Sequence, residues 1–346
     1  MSRDRGEWLS GTGPESDVVL SSRIRLARNL GGYAFPARLT APGKRAELER
    51  FVRERLEDAV PELEYRGLSE LQGLEAQCLV ERQLISKELQ QGDGERGVAF
   101  TPCERLSIMV NEEDHLRVQV LRSGLQLSEA WKQMREVDEE LESRFDFAYS
   151  PRFGYLTACP TNLGTGLRVS LMLHLPALVL SKTAGKAFKA MNNIDLAVRG
   201  FYGEGSQAFG DFFQISNQVT LGCSEEEIIR KIEDHVPQLI RRERNTREKL
   251  IEANRVNLED RVWRAYGVLE RAREMRSEEA MDYLSAVRMG ITLGLIDTLS
   301  AETINGLFIE IQSGHLQRLE GRELEAAERS ERRASLIRER LTDARS

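Results

Sequence analysis

The chain of 346 residues is poor in lysine, cysteine and histidine, with eight Lys, four Cys and four His. Cys78, Cys103, Cys159 and Cys223 are scattered, with no C-x-x-C pair and no His at zinc-finger spacing, so neither a disulfide framework nor a structural metal site is indicated. No apolar run is long enough to cross a bilayer: the best, VSLMLHLPALVLS, is short and carries His174 and Pro176. The opening MSRDRGEW has no signal-peptide core, which leads us to expect a soluble cytoplasmic protein with no membrane partner. Internal repeats and low-complexity tracts are also missing.

The familiar nucleotide and catalytic signatures are absent too. There is no GxxxxGK[ST], because neither Gly-Lys step, Gly43-Lys44 or Gly185-Lys186, has the upstream glycine. H-R-D, D-F-G and H-E-x-x-H do not occur. A net charge of -7 argues against direct binding of nucleic acid, which needs a positive field.

What is present suggests two domains. The first two thirds mix strand and helix signals. VVLSSRIRLARNL reads as a strand running into a basic loop, and GKRAELERFVRERLEDAV as an amphipathic helix. RLSIMV and LRVQVLRSG read as antiparallel strands around an acidic turn, NEEDH. LSEAWKQMREVDEELESRF reads as a helix beginning at its serine, FGYLTACPT as a buried strand, and GLRVSLMLHLPALVL as a mostly buried helix. DLAVRGFY and FFQISNQVTLG read as further strands. Ser224 and Glu227 form an S-x-x-E capping box, and from about residue 225 the chain turns charged and helical. The boundary is expected near residues 245 to 258, giving domains 1–250 and 251–346.

Of the 49 basic residues 41 are Arg, which heat adaptation or genome composition alone explains. Individually placed arginines say more. Arg23 and Arg25 in SSRIR, Arg168 after GTG and Arg199 in VRGFYGEGS read as standing next to Gly or Ser in short loops, and Arg117 projects from the strand after the acidic turn. Guanidinium groups make planar bidentate contacts with phosphate oxygens, so converging arginines would clamp a polyphosphate; single ones are ordinarily surface ion pairs. Glu112, Glu113 and Asp114 on one corner suit a cationic substrate or a metal, or form a solvated acidic turn. CPTNLGTGLR, Cys159 to Arg168, leaves open a thiol nucleophile, a phosphate cradle without lysine, or a tight corner.

SSRIR, VNEEDHLR, CPTNLGTGLR and RGFYGEGS, in that order, resemble the catalytic domain of the phosphagen (guanidino) kinases. The helical region after them, with no separate small helical domain before SSRIR, is more similar to the bacterial protein-arginine kinase branch. The resemblance implies an α+β fold: a large antiparallel β-sheet flanked by helices, followed by an all-α C-terminal domain. It implies transfer of the ATP γ-phosphoryl group, with Mg²⁺, to the guanidinium of arginine in proteins, in a setting of stress response and Clp-type proteolysis. A free guanidino metabolite as substrate, or a non-catalytic phosphoarginine-binding adaptor, are the alternatives. Partners implied are proteins bearing exposed arginine, an activator protein, a Clp ATPase or protease, and a second copy in a homodimer.

The resemblance also implies roles. Glu113 and Glu204 grip and deprotonate the guanidinium, and Cys159 helps position it. ATP is bound by Ser21, Ser22, Arg23, Ile24, Arg25, Gln83, Arg117, Arg168, Val169, Ser170, Leu171, Met172, Arg199, Gly200, Phe201, Tyr202 and Gly203, with Gln83 standing where the family often has His. Gly164 and Gly166 let the backbone approach phosphate, Asn162 and Thr165 stabilise the turn, and His115 is structural. RSERRA is similar to an allosteric phosphoarginine pocket element through Arg329 and Arg333, with Ser330 in place of its acid. No protein-borne metal site is expected.

Overall fold

A computed structural model describes residues 6–345 of the chain, apart from 40, 42, 61, 72 and 201–207. Its ten strands are β1 Val19–Arg28, β2 Glu64–Gly67, β3 Gly97–Phe100, β4 Leu106–Val110, β5 Leu116–Ser123, β6 Tyr149–Ser150, β7 Gly154–Tyr155, β8 Leu167–His174, β9 Leu196–Gly200 and β10 Phe212–Asn217. The helices longer than one turn are α1 Lys44–Ala59, α2 Gly73–Glu81, α3 Lys87–Gln91, α4 Leu127–Arg144, α5 Pro176–Leu180, α6 Ala184–Asn192, α7 Glu225–Arg271, α8 Ser277–Thr292, α9 Ala301–Glu310, α10 Ser313–Glu320 and α11 Ala326–Asp343. Eight strands form one sheet in the order β2-β3-β4-β5-β1-β8-β10-β9. Every pair in it is antiparallel.

The alternation in β1 divides the sheet into two unlike faces, because successive side chains point to opposite sides. Ile24 and Leu26 lie on one face with Val118, Val120, Val169, Leu171 and Ile215, all buried in the main core. Helix α4 covers this face with Leu127, Ala130, Met134, Val137 and Leu141, one helical stripe, and α7 adds Ile228, Ile229, Ile232 and Val236. Each such buried side chain contributes about 1.5–3 kcal/mol over leaving it in water. The opposite face carries Arg23, Arg25 and their cross-strand neighbours.

The region after residue 225 is helical, as expected. Ser224 caps α7 through a complete capping box with Glu227. α7 runs through the anticipated boundary, broken at Asn254, where φ is -163° and ψ is 80°. Beyond the break, Leu258, Val262 and Leu269 of α7 join α8, α9 and α11 in a second core. That core also takes in Trp8, Leu121, Met172 and Phe212, so the tail closes one end of the arginine-bearing face.

Three local readings are corrected. GLRVSLMLHLPALVL is not mainly a helix: Leu167–His174 is strand β8, paired on both sides by β1 and β10, and helix α5 starts only at Pro176. A continuous apolar run has no period that separates the two, and the strands on either side decide it. FGYLTACPT is a strand only at Gly154–Tyr155; Cys159 then leads into a short 3₁₀ turn at Pro160–Asn162. Helix α4 begins at Leu127 after Gln126, while the Ser128 hydroxyl donates to Glu233 of α7 at 2.9 Å instead of capping.

Candidate active site

The sheet register gathers the arginines from distant parts of the chain. Arg25 pairs with Arg168 across β1 and β8 and with Gln119 across β1 and β5, while Ala27 pairs with Arg117 and Gln214 with Arg199. Antiparallel partners share a face, so Arg23, Arg25, Arg117, Arg168 and Arg199 all project to the same side. Ser170, Gln214 and Ser216 lie among them. Arg23 donates from Nε to Ser170 at 3.3 Å, from Nη1 to Gln83 at 3.3 Å and from Nη2 to Gln214 at 2.8 Å. Arg168 donates to the Ser216 hydroxyl at 3.1 Å.

This face is strongly electropositive. Burial, then the guanidinium groups of Arg117 and Arg168, push Arg23 down to about 10. Burial and the charges of Arg23, Arg117 and Arg168 push Arg25 well below its ordinary value, and burial with Arg199 and Arg117 lowers Arg168. Because a guanidinium keeps its proton, these depressions measure repulsion that a bound anion relieves. The Nε atoms of Arg25 and Arg168 are buried without a hydrogen-bond partner among the described residues, which leaves two donors for an anion. The residues present therefore fit a triphosphate.

At the edge of this face stands the turn between β4 and β5, and its three acids do different work. Glu112 is tied to Arg117, whose Nη1 donates to both carboxylate oxygens at 2.5 and 2.6 Å, and it also accepts from the Ser86 hydroxyl. Burial opposes its charge, but Arg117 outweighs that and holds it below the usual carboxylate range. Asp114 is buried, its Oδ1 accepting from Asn29 Nδ2 at 2.6 Å and from the Ala158 N–H at 2.7 Å. It staples the acidic turn to the segment that carries Cys159. Glu113 alone is exposed. Burial, Asp114 and Glu112 raise its pKa, and the nearby Cys159 thiol partly offsets them. Cys159 also contacts the Thr161 hydroxyl at 2.9 Å.

Not every expected residue faces this cleft. Ser22, Ile24, Val169 and Leu171 point to the opposite side: the Ser22 hydroxyl donates to the Gly124 carbonyl at 2.7 Å, and the other three are core. Ser21, Ser170 and Met172 share the arginine face, with Met172 packed against the tail. Gln83 reaches Arg23 from a left-handed backbone position, φ 63°. Gly200 ends β9, whereas Phe201, Tyr202, Gly203 and Glu204 lie outside the described residues.

The glycines of the turn answer a packing need. A Cβ on Gly166 would meet the Ala27 carbonyl oxygen at 2.6 Å, and one on Gly164 the Thr220 oxygen at 2.4 Å. His115 is buried and structural, Nδ1 accepting from the Leu30 N–H at 3.0 Å and Nε2 meeting the Ala34 carbonyl at 2.9 Å. On α11, Arg329 donates to the Leu324 carbonyl at 2.5 Å, and buried Arg333 donates to the carbonyls of Ile311 and Met275 at 3.0 and 2.9 Å.

Sequence reasoning missed the division of labour among the acids and the polar partners Gln119, Gln214 and Ser216. Alternation along FFQISNQ holds the signal for the last two, readable only once the register is known. One group among the described residues, Cys78, Glu81 and His315, has ligand atoms within 4.8 Å of one another. Glu81 there already accepts from the N–H groups of Gly314 and His315 and from His315 Nδ1, at 2.7, 3.0 and 2.6 Å, which caps α10.

Comparison with known proteins agrees with this geometry. A family model for the ATP:guanido phosphotransferase C-terminal catalytic domain matches residues 46–246, and one for the Protein-arginine kinase McsB C-terminal domain matches residues 255–346. The protein-arginine kinase of Symbiobacterium thermophilum is 49% identical over 99% of this chain and 98% of its own length. That of Moorella thermoacetica is 48% identical over 97% of both, and that of Bacillus subtilis 46% identical over 96% of this chain and 93% of its own. Among solved structures, the duplicated taurocyamine kinase of Schistosoma mansoni with transition state analog components matches at TM-score 0.61 and 25% identity, over 71% of this chain and 36% of that one. Lombricine kinase matches at TM-score 0.57 and 27% identity, over 68% of each chain. With both segments matched and relatives of nearly half identity along its whole length, the chain belongs to the protein-arginine kinases, within the ATP:guanido phosphotransferase family.

Proposed function

We propose that this chain transfers the γ-phosphoryl group of ATP to the guanidinium of arginine side chains in proteins. The observation that carries this is the meeting of a five-arginine face with one exposed carboxylate, Glu113, beside Cys159. Phosphoryl transfer asks for positioning and charge neutralisation more than for covalent chemistry. Arg23, Arg25, Arg117, Arg168 and Arg199 hold the ATP phosphates and offset the charge of the transferring group, with Gln83 beside the base. Mg²⁺ bound to ATP oxygens supplies further neutralisation. Glu112 keeps Arg117 aligned and is not itself the base.

The acceptor is a poor nucleophile because a guanidinium holds its proton above about pH 12. Glu113 aligns it, favours charge on the spectator nitrogens and takes the proton, and Glu204 grips the same group. The raised pKa of Glu113 suits a carboxylate that must accept a proton. Two units, divided near the break in α7 at Asn254, are supported by a second hydrophobic core built mainly from the helices after the break, with a few residues of the sheet part packed into it. We further assign the tail to dimer formation and regulation, with Arg329 and Arg333 as its phosphoarginine contacts, and Clp-type proteolysis in the cytoplasm as its setting.

The test offers ATP with an unfolded arginine-bearing protein and with free arginine, read by phosphorus NMR and intact mass. The protein acquires phosphoarginine and free arginine does not. Glu113→Gln lowers kcat at least 100-fold, in the range a general base supplies. Full activity in that variant, or phosphorylation of free arginine alone, would overturn the reading.

A further inference from the structure

Beyond the Cys159–Arg168 turn, away from the arginine face, lies an open groove of about 930 Å³. Gly164 and Thr165 of that same turn line it, between the segment 145–155 and the start of α7. Large apolar side chains stand in it uncovered: Tyr149 is 60% exposed, Leu221 48% and Phe153 40%. Exposed patches of this kind mark interaction sites.

The charged lining is acidic. Asp146, Glu142, Glu225 and Glu227 line the groove, against one lining cation, Arg152. The Glu142 carboxylate accepts from the Tyr155 hydroxyl, and Glu227 is engaged in the capping box of α7. The carboxylates of Asp146 and Glu225 have no hydrogen bond or ion pair among the described residues. The α7 N-terminus presents about half a positive charge here, which the three acids of its first turn, Glu225 to Glu227, outweigh. The aromatic faces already hold guanidinium groups: Arg28 lies 3.5 Å from the centroid of the Tyr155 ring and Arg152 4.9 Å from that of Phe153.

Aromatic faces combined with unpaired carboxylates recognise a basic side chain through cation–π attraction and charge pairing. We propose that this groove is a docking subsite for a second basic residue, Arg or Lys, of the client polypeptide whose arginine is phosphorylated. This rests on the reading that the chain acts on arginine in proteins. Cys159 and Gly164, at the near rim of the groove, are five positions apart, a span of at most about 17 Å. A client in extended form covers that span in about five residues. The charge complementarity is between a net-acidic groove and a basic side chain of the client.

The experiment uses the full chain and synthetic peptides with one arginine, flanked at three to five residues on each side by Lys, by Gln or by Glu. The wild type shows a KM about tenfold lower for the Lys-flanked peptide than for the Gln-flanked one, with equal kcat. In the double variant Asp146→Asn and Glu225→Gln that preference shrinks to below about twofold, while the Gln-flanked peptide is turned over as before. Tyr149→Ala raises KM for the Lys-flanked peptide several-fold, and Asp146→Lys reverses the preference toward the Glu-flanked one. Because the whole chain is acidic, Glu248→Gln with Glu252→Gln serves as a charge-matched control and leaves the preference intact. A wild type indifferent to the flanks, a groove variant that keeps the tenfold preference, or a control that loses it equally would overturn the proposal. If no peptide is phosphorylated at all, it is the arginine-kinase reading that fails.

Discussion

Replacing Asp114 separates the two things a buried carboxylate can supply, an acceptor and a charge. Its Oδ1 alone takes both bonds, from Asn29 at 2.6 Å and from the Ala158 N–H at 2.7 Å, so asparagine in the same rotamer retains both. Alanine loses them. Hydrogen bonds to a charged acceptor contribute about 1.5–3 kcal/mol each, offset in part by relief of the buried charge, so Asp114→Ala costs about 3 kcal/mol. At an unfolding entropy of about 2.1 cal/mol/K per residue this lowers Tm by about 4 °C. It also releases Ala158 beside Cys159, and kcat falls about tenfold or more as the guanidinium loses its alignment. Asp114→Asn stays within about 1 kcal/mol and twofold in kcat. It has one further signature. The Asp114 charge helps raise the Glu113 pKa, so removing it lowers that pKa, and the acidic limb of the kcat/KM profile moves to lower pH. Calorimetry and pH–rate profiles of the two variants check this. If asparagine proves as harmful as alanine, or the acidic limb stays in place, the division of roles among Glu112, Glu113 and Asp114 is refuted.

Two further outcomes follow from buried groups. Burial holds His115 down to about 4, against about 6.5 in the unfolded chain, so the unfolded state binds the extra proton. Stability is therefore lost as pH falls from 6.5 toward 4, by about 3 kcal/mol from this residue. Urea unfolding at pH 7 and pH 4.5 shows a smaller difference in His115→Gln than in the wild type, and equal differences would refute the assignment. Arg288, pushed down to about 9 by burial and then by Arg247, donates to Ser16 and Asp17 carbonyls, Asn305 and His174 at 2.7–3.1 Å. Arg288→Met leaves those acceptors buried and unpaired, costs about 3–5 kcal/mol, and speeds hydrogen exchange in α8 and α9 before the sheet. Uniform protection across the tail would contradict its role in docking the tail to the sheet.

Much of the site is legible in the sequence because its signals are local. The capping box of Ser224 and Glu227 needs only the first turn of a helix, and it forms as expected. The alternation Arg23-Ile24-Arg25-Leu26 marks a strand with one charged and one apolar side, and β1 corrects the reading of these two arginines as loop residues. Arg28 shows where that stops. It follows the same run of basic residues, yet its parity puts it on the core side, where it pairs with Asp138 at 2.6 Å and lies over Tyr155. Parity relative to Arg25 is visible along the chain, whereas the carboxylate that makes the burial of Arg28 tolerable comes from α4, 110 residues away.

Contiguous spelling is enough for the family motifs, the helical tail and the residue types of the site, since each depends on near neighbours along the chain. Packing settles the rest: which of the three acids is exposed, that Gly164 and Gly166 yield to the backbones of Thr220 and Ala27, and that Leu167–His174 is a strand. Those outcomes are set by what lies opposite, and residues such as Ala27 and Gly166, or Asp114 and Ala158, become neighbours only when the sheet closes. Register is the physical reason: shifting β8 by one residue would turn Arg168 into the core and Val169 into the cleft.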